Sequence, residues 1–214
     1  MIKKRSFDLK VLLVNGSPNK EGCTYTALCE VASALKKSGV DSELFHIGTG
    51  MVRGCLGCGK CNETGICTFN DDVCNELAAK MKASDGIVIG SPVYYSGPAG
   101  ALCALLDRVF YSTGGKLKHK PAAAIVSCRR GGASAAFDRL NKYFTISQMP
   151  VVSSQYWNNV HGFKPEHVRV DLEGLQIMRT LANNMAWMLK SIKAGDPPPE
   201  TEKQVYTSFQ DGKV

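Results

Sequence analysis

An α/β fold on a doubly wound, five-stranded parallel sheet, with helices on both faces, is what this sequence predicts. Three observations carry the prediction. Short, continuously apolar runs, KVLLVN at 10–15 and GIVIG at 86–90, read as strands buried on both faces. The segments between such runs place apolar residues at helical spacing. Strands alternating with helices demand parallel pairing through right-handed crossovers.

Each element has a local reason. The first strand, 10–15, ends at Gly16. A helix over 24–37 aligns Leu28, Val31, Ala32 and Leu35 and stops at Gly39. A second strand is expected at 42–47, followed by a glycine-rich loop of about 20 residues. Loops of that length inside a domain usually serve function. Asp71 and Asp72 open the next helix, where carboxylates favour the positive end of the dipole, and Leu77, Lys80 and Met81 carry it to Ala83. The third strand is 86–90. A helix over 98–110 stacks Leu102, Leu105, Leu106 and Val109 on one face. Strands at 122–127 and 149–153 flank a helix at 133–144, and a long amphipathic helix fills 172–193. The flavodoxin-like strand order 2-1-3-4-5 follows. Residues 1–195 are expected to form a single domain with a cysteine-rich insertion at about 48–70. Residues 196–214 read as a polar tail, or as an inter-subunit arm using Tyr206 and Phe209. There are no internal repeats.

With 214 residues, 44% hydrophobic and 21% charged, the chain is large enough for a full core without staples. The start, MIKKRSFDLK, lacks an apolar run behind its cations, so no secretory leader is expected. No apolar stretch approaches a membrane span, and a cytoplasmic location is expected. Nine cysteines, odd in number and clustered, point to thiols or metal ligands rather than disulfides. The net charge of +7 is scattered over Lys3, Lys4 and Arg5, Lys36 and Lys37, Lys116 to Lys120, and Arg129 and Arg130. Without a basic stripe interleaved with aromatics, nucleic acid is a poor partner. Anionic small ligands or an acidic carrier protein suit the charge better.

The segment CLGCGKCNETGIC gathers Cys55, Cys58, Cys61 and Cys67 within thirteen residues. Thiolates two residues apart can each reach a different corner of an iron–sulfur cubane. One tetrahedral zinc suits them less well, because three ligands this close must all turn onto one ion. A reduced, metal-free loop is the plain alternative.

Three further loops lie at the carboxyl ends of strands, where doubly wound sheets bind ligands. After the first strand, NGSPNKEGCTYT supplies two glycines and the hydroxyls of Ser17, Thr24 and Thr26 at a helix start, a phosphate cradle. It matches neither a P-loop nor GxGxxG. After the third strand, Pro92, Val93, Tyr94 and Tyr95 form a stiff aromatic loop suited to a flat heteroaromatic ring. After the fourth, Ser127, Cys128, Arg129 and Gly131 place a cation and a thiol near such a ring. The four histidines, His46, His119, His161 and His167, form no evident Cys–His or Ser–His pair, and each reads as surface or structural.

VNGSPNKEGCTYT, the cysteine segment and SPVYYSGPAG, in that order, resemble the NADPH-dependent FMN reductase superfamily, and within it the iron–sulfur flavoproteins. The similarity runs from about 9 to 193. The resemblance implies FMN held by Ser17, Asn19, Cys23 and Thr24 at its phosphate and by Pro92, Val93, Tyr94 and Tyr95 at its ring. It implies a [4Fe-4S] cluster on Cys55, Cys58, Cys61 and Cys67. The chain departs from the family at Asn19–Lys20, where an arginine is usual, and at Cys23, where asparagine is frequent. An oxidoreductase follows, moving electrons between NAD(P)H or a carrier such as ferredoxin and a quinone, flavin, azo or nitro compound, or metal ion. Such proteins assemble as homodimers or homotetramers. Two other classes stay open at this point: a non-enzymatic flavodoxin-like electron carrier and a zinc-binding interaction module. Flavodoxins are typically acidic, and a pI near 8.9 counts against the former.

Overall fold

The structure, a computed structural model, describes residues 8–203 and 205; Lys3, Lys4, Arg5, Tyr206 and Phe209 lie outside the described residues. In chain order the elements are β1 (Lys10–Asn15), α1 (Cys23–Lys37), β2 (Asp41–His46), α2 (Lys60–Thr64) and α3 (Cys74–Ala83). Then come β3 (Gly86–Tyr94), β4 (Gly97–Pro98), α4 (Gly100–Thr113), β5 (Ala122–Cys128) and α5 (Ala133–Ile146). The chain continues through β6 (Asn159–His161), α6 (Pro165–Arg169) and α7 (Leu172–Ala194). No helix among the described residues is long and apolar enough to cross a membrane.

The parallel strands lie in the order β2-β1-β3-β5-β6, which is 2-1-3-4-5 when the small β4 is set aside. Both faces are covered, as the continuous apolar strands require. Leu12 and Val14 face a core built with α3, α4 and α5. Val11 and Leu13 face another built with α1 and α7. Chain reversal between layers therefore happens between β1 and β3, whose following helices leave on opposite sides of the sheet.

Four local differences from the sequence expectation have physical causes. No strand forms at 149–153; Val151 makes only an isolated bridge to Ala122. Pro150 has no N–H to extend a ladder. The edge strand is instead β6, and buried Asn158 fills the interruption by donating to the Ala124 carbonyl at 3.1 Å. The helix expected from Asp71 starts at Cys74, because Asp72 folds back to accept the Cys74 N–H at 3.0 Å. The third strand runs on to Tyr94 and turns into β4 through Tyr95 and Ser96, at φ of 49° and 60°. Two successive left-handed residues make a tight hairpin turn of the kind usually written Asn-Gly. The cysteine segment contains the short α2, bounded by Gly59 and Gly65 at φ of 73° and 70°.

Gly90 on β3 is a close-approach site. A Cβ there would stand 2.8 Å from Thr24 Cγ2 and 3.2 Å from Leu28 Cδ1. Gly90→Ala is expected to destabilise the fold by about 1–3 kcal/mol through overpacking. Urea unfolding checks this: an unchanged midpoint would mean that α1 has slack against the sheet.

Candidate functional site

A cleft of about 440 Å³ opens at the carboxyl ends of β1, β3 and β5. Ser17, Asn19, Cys23 and Thr24 line one side, and Pro92, Val93 and Tyr94 another. Ser127, Cys128, Arg129, Gly162 and Phe163 complete it. Thus nine of the sequence-predicted cofactor residues come together, from loops more than 100 residues apart in the chain.

The phosphate-loop side is built by internal hydrogen bonds. Asn15 is fully buried at the end of β1; its Oδ1 accepts the Ser17 N–H at 3.1 Å and its Nδ2 donates to the Lys20 carbonyl at 3.0 Å. The Ser17 hydroxyl accepts the Asn19 N–H at 3.1 Å. A ring nitrogen of His46 lies 2.8 Å from the Ser17 carbonyl and ties the end of β2 to this loop. Thr24 Oγ1 and Ser127 Oγ are 2.9 Å apart and buried, which locks the start of α1 to the end of β5. The N-cap of α1 is Gly22, no side chain caps it, and its first turn contains no acidic residue. A 15-residue helix therefore presents uncapped amides and the positive end of its dipole beside two hydroxyls. That donor set fits a phosphate.

The ring-loop side is stiffened from within. Ser91 Oγ donates to the Pro92 carbonyl at 2.8 Å and accepts the Ala99 N–H at 2.9 Å, closing the base of the hairpin. Gly132, at φ of 86°, packs so tightly under the hairpin that a Cβ would come within 2.8 Å of Ser96. Exposed Tyr94 and Phe163 leave apolar surface at the cleft's mouth, which fits a flat ring.

Three predicted residues are placed elsewhere. The Thr26 hydroxyl donates back to the Gly22 carbonyl at 3.1 Å, inside the helix's first turn, and does not line the cleft. Tyr95 sits at the hairpin tip, fully exposed and outside the lining. Gly131 is also outside it, while its neighbour Gly132 makes the close approach. Sequence reasoning missed Asn15 as a brace, and missed Gly162 and Phe163. The two lining residues follow β6, which the sequence placed elsewhere, so no signal pointed at them.

Cys55, Cys58, Cys61 and Cys67 line one small pocket of about 20 Å³ with Phe69, Arg108 and Tyr111. Cys55 and Cys58 are exposed, and Cys61 and Cys67 are half-buried. Among the described residues, no three His, Cys, Asp or Glu side chains gather about one ion. Gly57 and Gly59 within this segment are both left-handed.

The thiols differ in their electrostatics. Burial pushes Cys61 up, reinforced by the other three sulfurs. Burial also raises Cys67, but the Phe69 N–H, the Arg108 guanidinium and the Cys74 thiol outweigh it and hold Cys67 below its ordinary value. Cys74 itself, buried in α3, is pushed up to about 12 by desolvation and stays a thiol. Cys128, lining the cleft, is likewise raised by burial, which keeps it a thiol rather than a reactive thiolate.

The sequence profile of the NADPH-dependent FMN reductase family matches residues 9–164. An iron–sulfur flavoprotein of Methanocaldococcus jannaschii is 33% identical over 193 residues, covering 86% of this chain and all of that one. Another iron–sulfur flavoprotein, from Archaeoglobus fulgidus, is 36% identical over 149 residues, 68% of this chain and 73% of its own. Among solved structures, a WrbA-like flavodoxin from Agrobacterium tumefaciens superposes with a TM-score of 0.61 at 15% identity, covering 86% of this chain and 99% of that one.

Asn15→Ala would leave the buried Ser17 N–H without its partner and release the Lys20 carbonyl. An orphaned buried group costs about 1–3 kcal/mol. The expected result is weaker FMN binding by fluorescence titration together with a lowered unfolding midpoint. Unchanged values of both would show that the loop holds its shape without this brace.

Proposed function

Because the chain belongs to the NADPH-dependent FMN reductase family, alongside the iron–sulfur flavoproteins, it is a flavin oxidoreductase, and we propose that it relays electrons between a nicotinamide nucleotide or reduced carrier protein and a small acceptor. The proposal includes two cofactors: FMN in the cleft and a [4Fe-4S] cluster on Cys55, Cys58, Cys61 and Cys67. The acceptor is a quinone, flavin, azo or nitro compound, or metal ion; a ferredoxin is the carrier that the cluster would meet. When bound, the flavin supplies hydride and one-electron chemistry, and the cluster supplies single-electron exchange.

The protein's part is placement. Ser17, Thr24 and the first amides of α1 would bind the phosphate through charge-assisted hydrogen bonds. Pro92, Val93 and Tyr94 would hold the ring's edge and one face, with the hairpin kept rigid by Ser91. Arg129, on the cleft's rim, would favour a more negative reduced ring or attract a nucleotide phosphate. The exposed aromatics at the mouth suit cover by a second copy, in a homodimer or homotetramer.

One observation carries the reading. An uncapped helix N-terminus, two buried hydroxyls and a stiff aromatic hairpin converge on one cleft. Thr24→Val is expected to weaken FMN binding by roughly 1.5–3 kcal/mol, the value of one hydrogen bond to a charged group. Unaltered FMN affinity would remove the phosphate from this loop. Iron and sulfide assays on anaerobically purified protein address the second cofactor. Cys58→Ala is expected to lose iron and sulfide while keeping flavin, and wild-type protein with FMN but neither iron nor sulfide would leave a plain reductase. Consumption of NADH or NADPH only when an acceptor is added would separate an enzyme from a passive carrier.

A further inference from the structure

The face of α4 turned toward the cysteine segment carries Arg108, and nothing in the flavin cleft uses it. This guanidinium is 2% exposed, and its partner, the Asp72 carboxylate, is buried with it. Nε donates to Cys67 Sγ at 3.3 Å. Nη1 donates to the Asp72 carboxylate and to the Arg53 carbonyl at 3.4 Å, and Nη2 to the Phe69 carbonyl at 3.2 Å. Arg53 stands just before Cys55 and Phe69 just after Cys67, so one side chain joins the two ends of the motif. Asn75 fixes the backbone of Cys67 from the other side, accepting its N–H and donating to its carbonyl, both at 2.9 Å. Cys67 is therefore held at sulfur and backbone, whereas Cys55 and Cys58 stand exposed. A buried ion pair is a costly way to fill a core, since apolar residues of similar volume do as well or better. Its use here calls for a role at the site.

We propose that Arg108 is a positioning residue for the iron–sulfur cluster: its Nε–H bond and buried charge make Cys67 the fixed corner and favour the cluster's reduced state. The proposal rests on the reading of the four cysteines as cluster ligands. Reduction by one electron makes the cluster more negative. A cation and an N–H donor at a ligating sulfur stabilise that added charge more than they stabilise the oxidised form, which raises the potential. Asp72 offsets part of the same cation, so it works in the opposite direction.

The opposition supplies the test. Full-length wild type, Arg108→Lys and Asp72→Asn are reconstituted anaerobically with iron and sulfide. They are then titrated with dithionite as the one-electron reductant, followed by absorption and electron paramagnetic resonance. Arg108→Lys, which loses the forked donor, is expected to shift the cluster midpoint to more negative potential. Asp72→Asn, which leaves the cation less neutralised, is expected to shift it to more positive potential, with iron and flavin contents retained. Simple disruption of the loop would move both in one direction. If Arg108→Lys fails to hold iron, the sign of the Asp72→Asn shift decides alone: a positive shift supports the role, and none overturns it. A cluster-loaded wild type whose variants keep its midpoint overturns the role of Arg108. Wild type that takes up neither iron nor sulfide overturns the cluster reading itself, and the proposal with it.

Discussion

A parallel sheet has to be covered on both faces, and this requirement sends the helices after β1 and β3 to opposite sides. In the crevice left between the strand ends, backbone amides, hydroxyls and loop side chains meet without filling the space themselves. The layers close against Leu12 and Val14 on one side and Val11 and Leu13 on the other, so the crevice rests on a floor with no slack. Gly16 and Gly90 show how tight that floor is. The Gly16 N–H donates to the Gly90 carbonyl at 2.8 Å, and a Cβ on Gly16 would lie 2.4 Å from Leu102.

The loops around the crevice owe their shape to buried polar groups. Asn15, Ser91 and the Thr24–Ser127 pair each satisfy backbone or hydroxyl groups that water would otherwise have to reach. Such groups are expensive when unpaired, so they specify one arrangement strongly. A loop built this way offers its remaining donors to a ligand already in position, and little ordering entropy is left for binding to supply.

The cysteine segment follows a different logic. It has almost no core of its own; α2 has no buried residue. Its order comes from α3 and α4, through Asn75 and Arg108. Helix α4 begins directly after the aromatic hairpin, and Arg108 lies about 12 Å farther along its axis at 1.5 Å per residue. One helix therefore runs from the hairpin to the thiol pocket, and His46 ties the end of β2 to the Ser17 loop. In the proposed two-cofactor protein, this is the scaffold that would fix the separation between the redox groups.

The strand order, the helical stripes and the three ligand loops are legible in the sequence because they depend on neighbours within a few residues: apolar runs, helical periodicity, and glycine, proline and hydroxyl residues at strand ends. The family resemblance resides in those same loops, and the chain's membership bears it out. What the sequence could not disclose depends on partners far along the chain. The edge strand is β6 rather than 149–153, since Pro150 spoils one ladder and Asn158 repairs the gap. Thr26 is the local exception, its hydroxyl donating to the Gly22 carbonyl one helical turn back. Arg108 reads locally as one charge on an amphipathic helix, and only packing against residues 36 to 55 positions away turns it into the buckle of the cysteine loop. Local patterning is enough to choose a fold, whereas burial of a charge and the pairing of loops are decided by which distant surfaces the fold brings together.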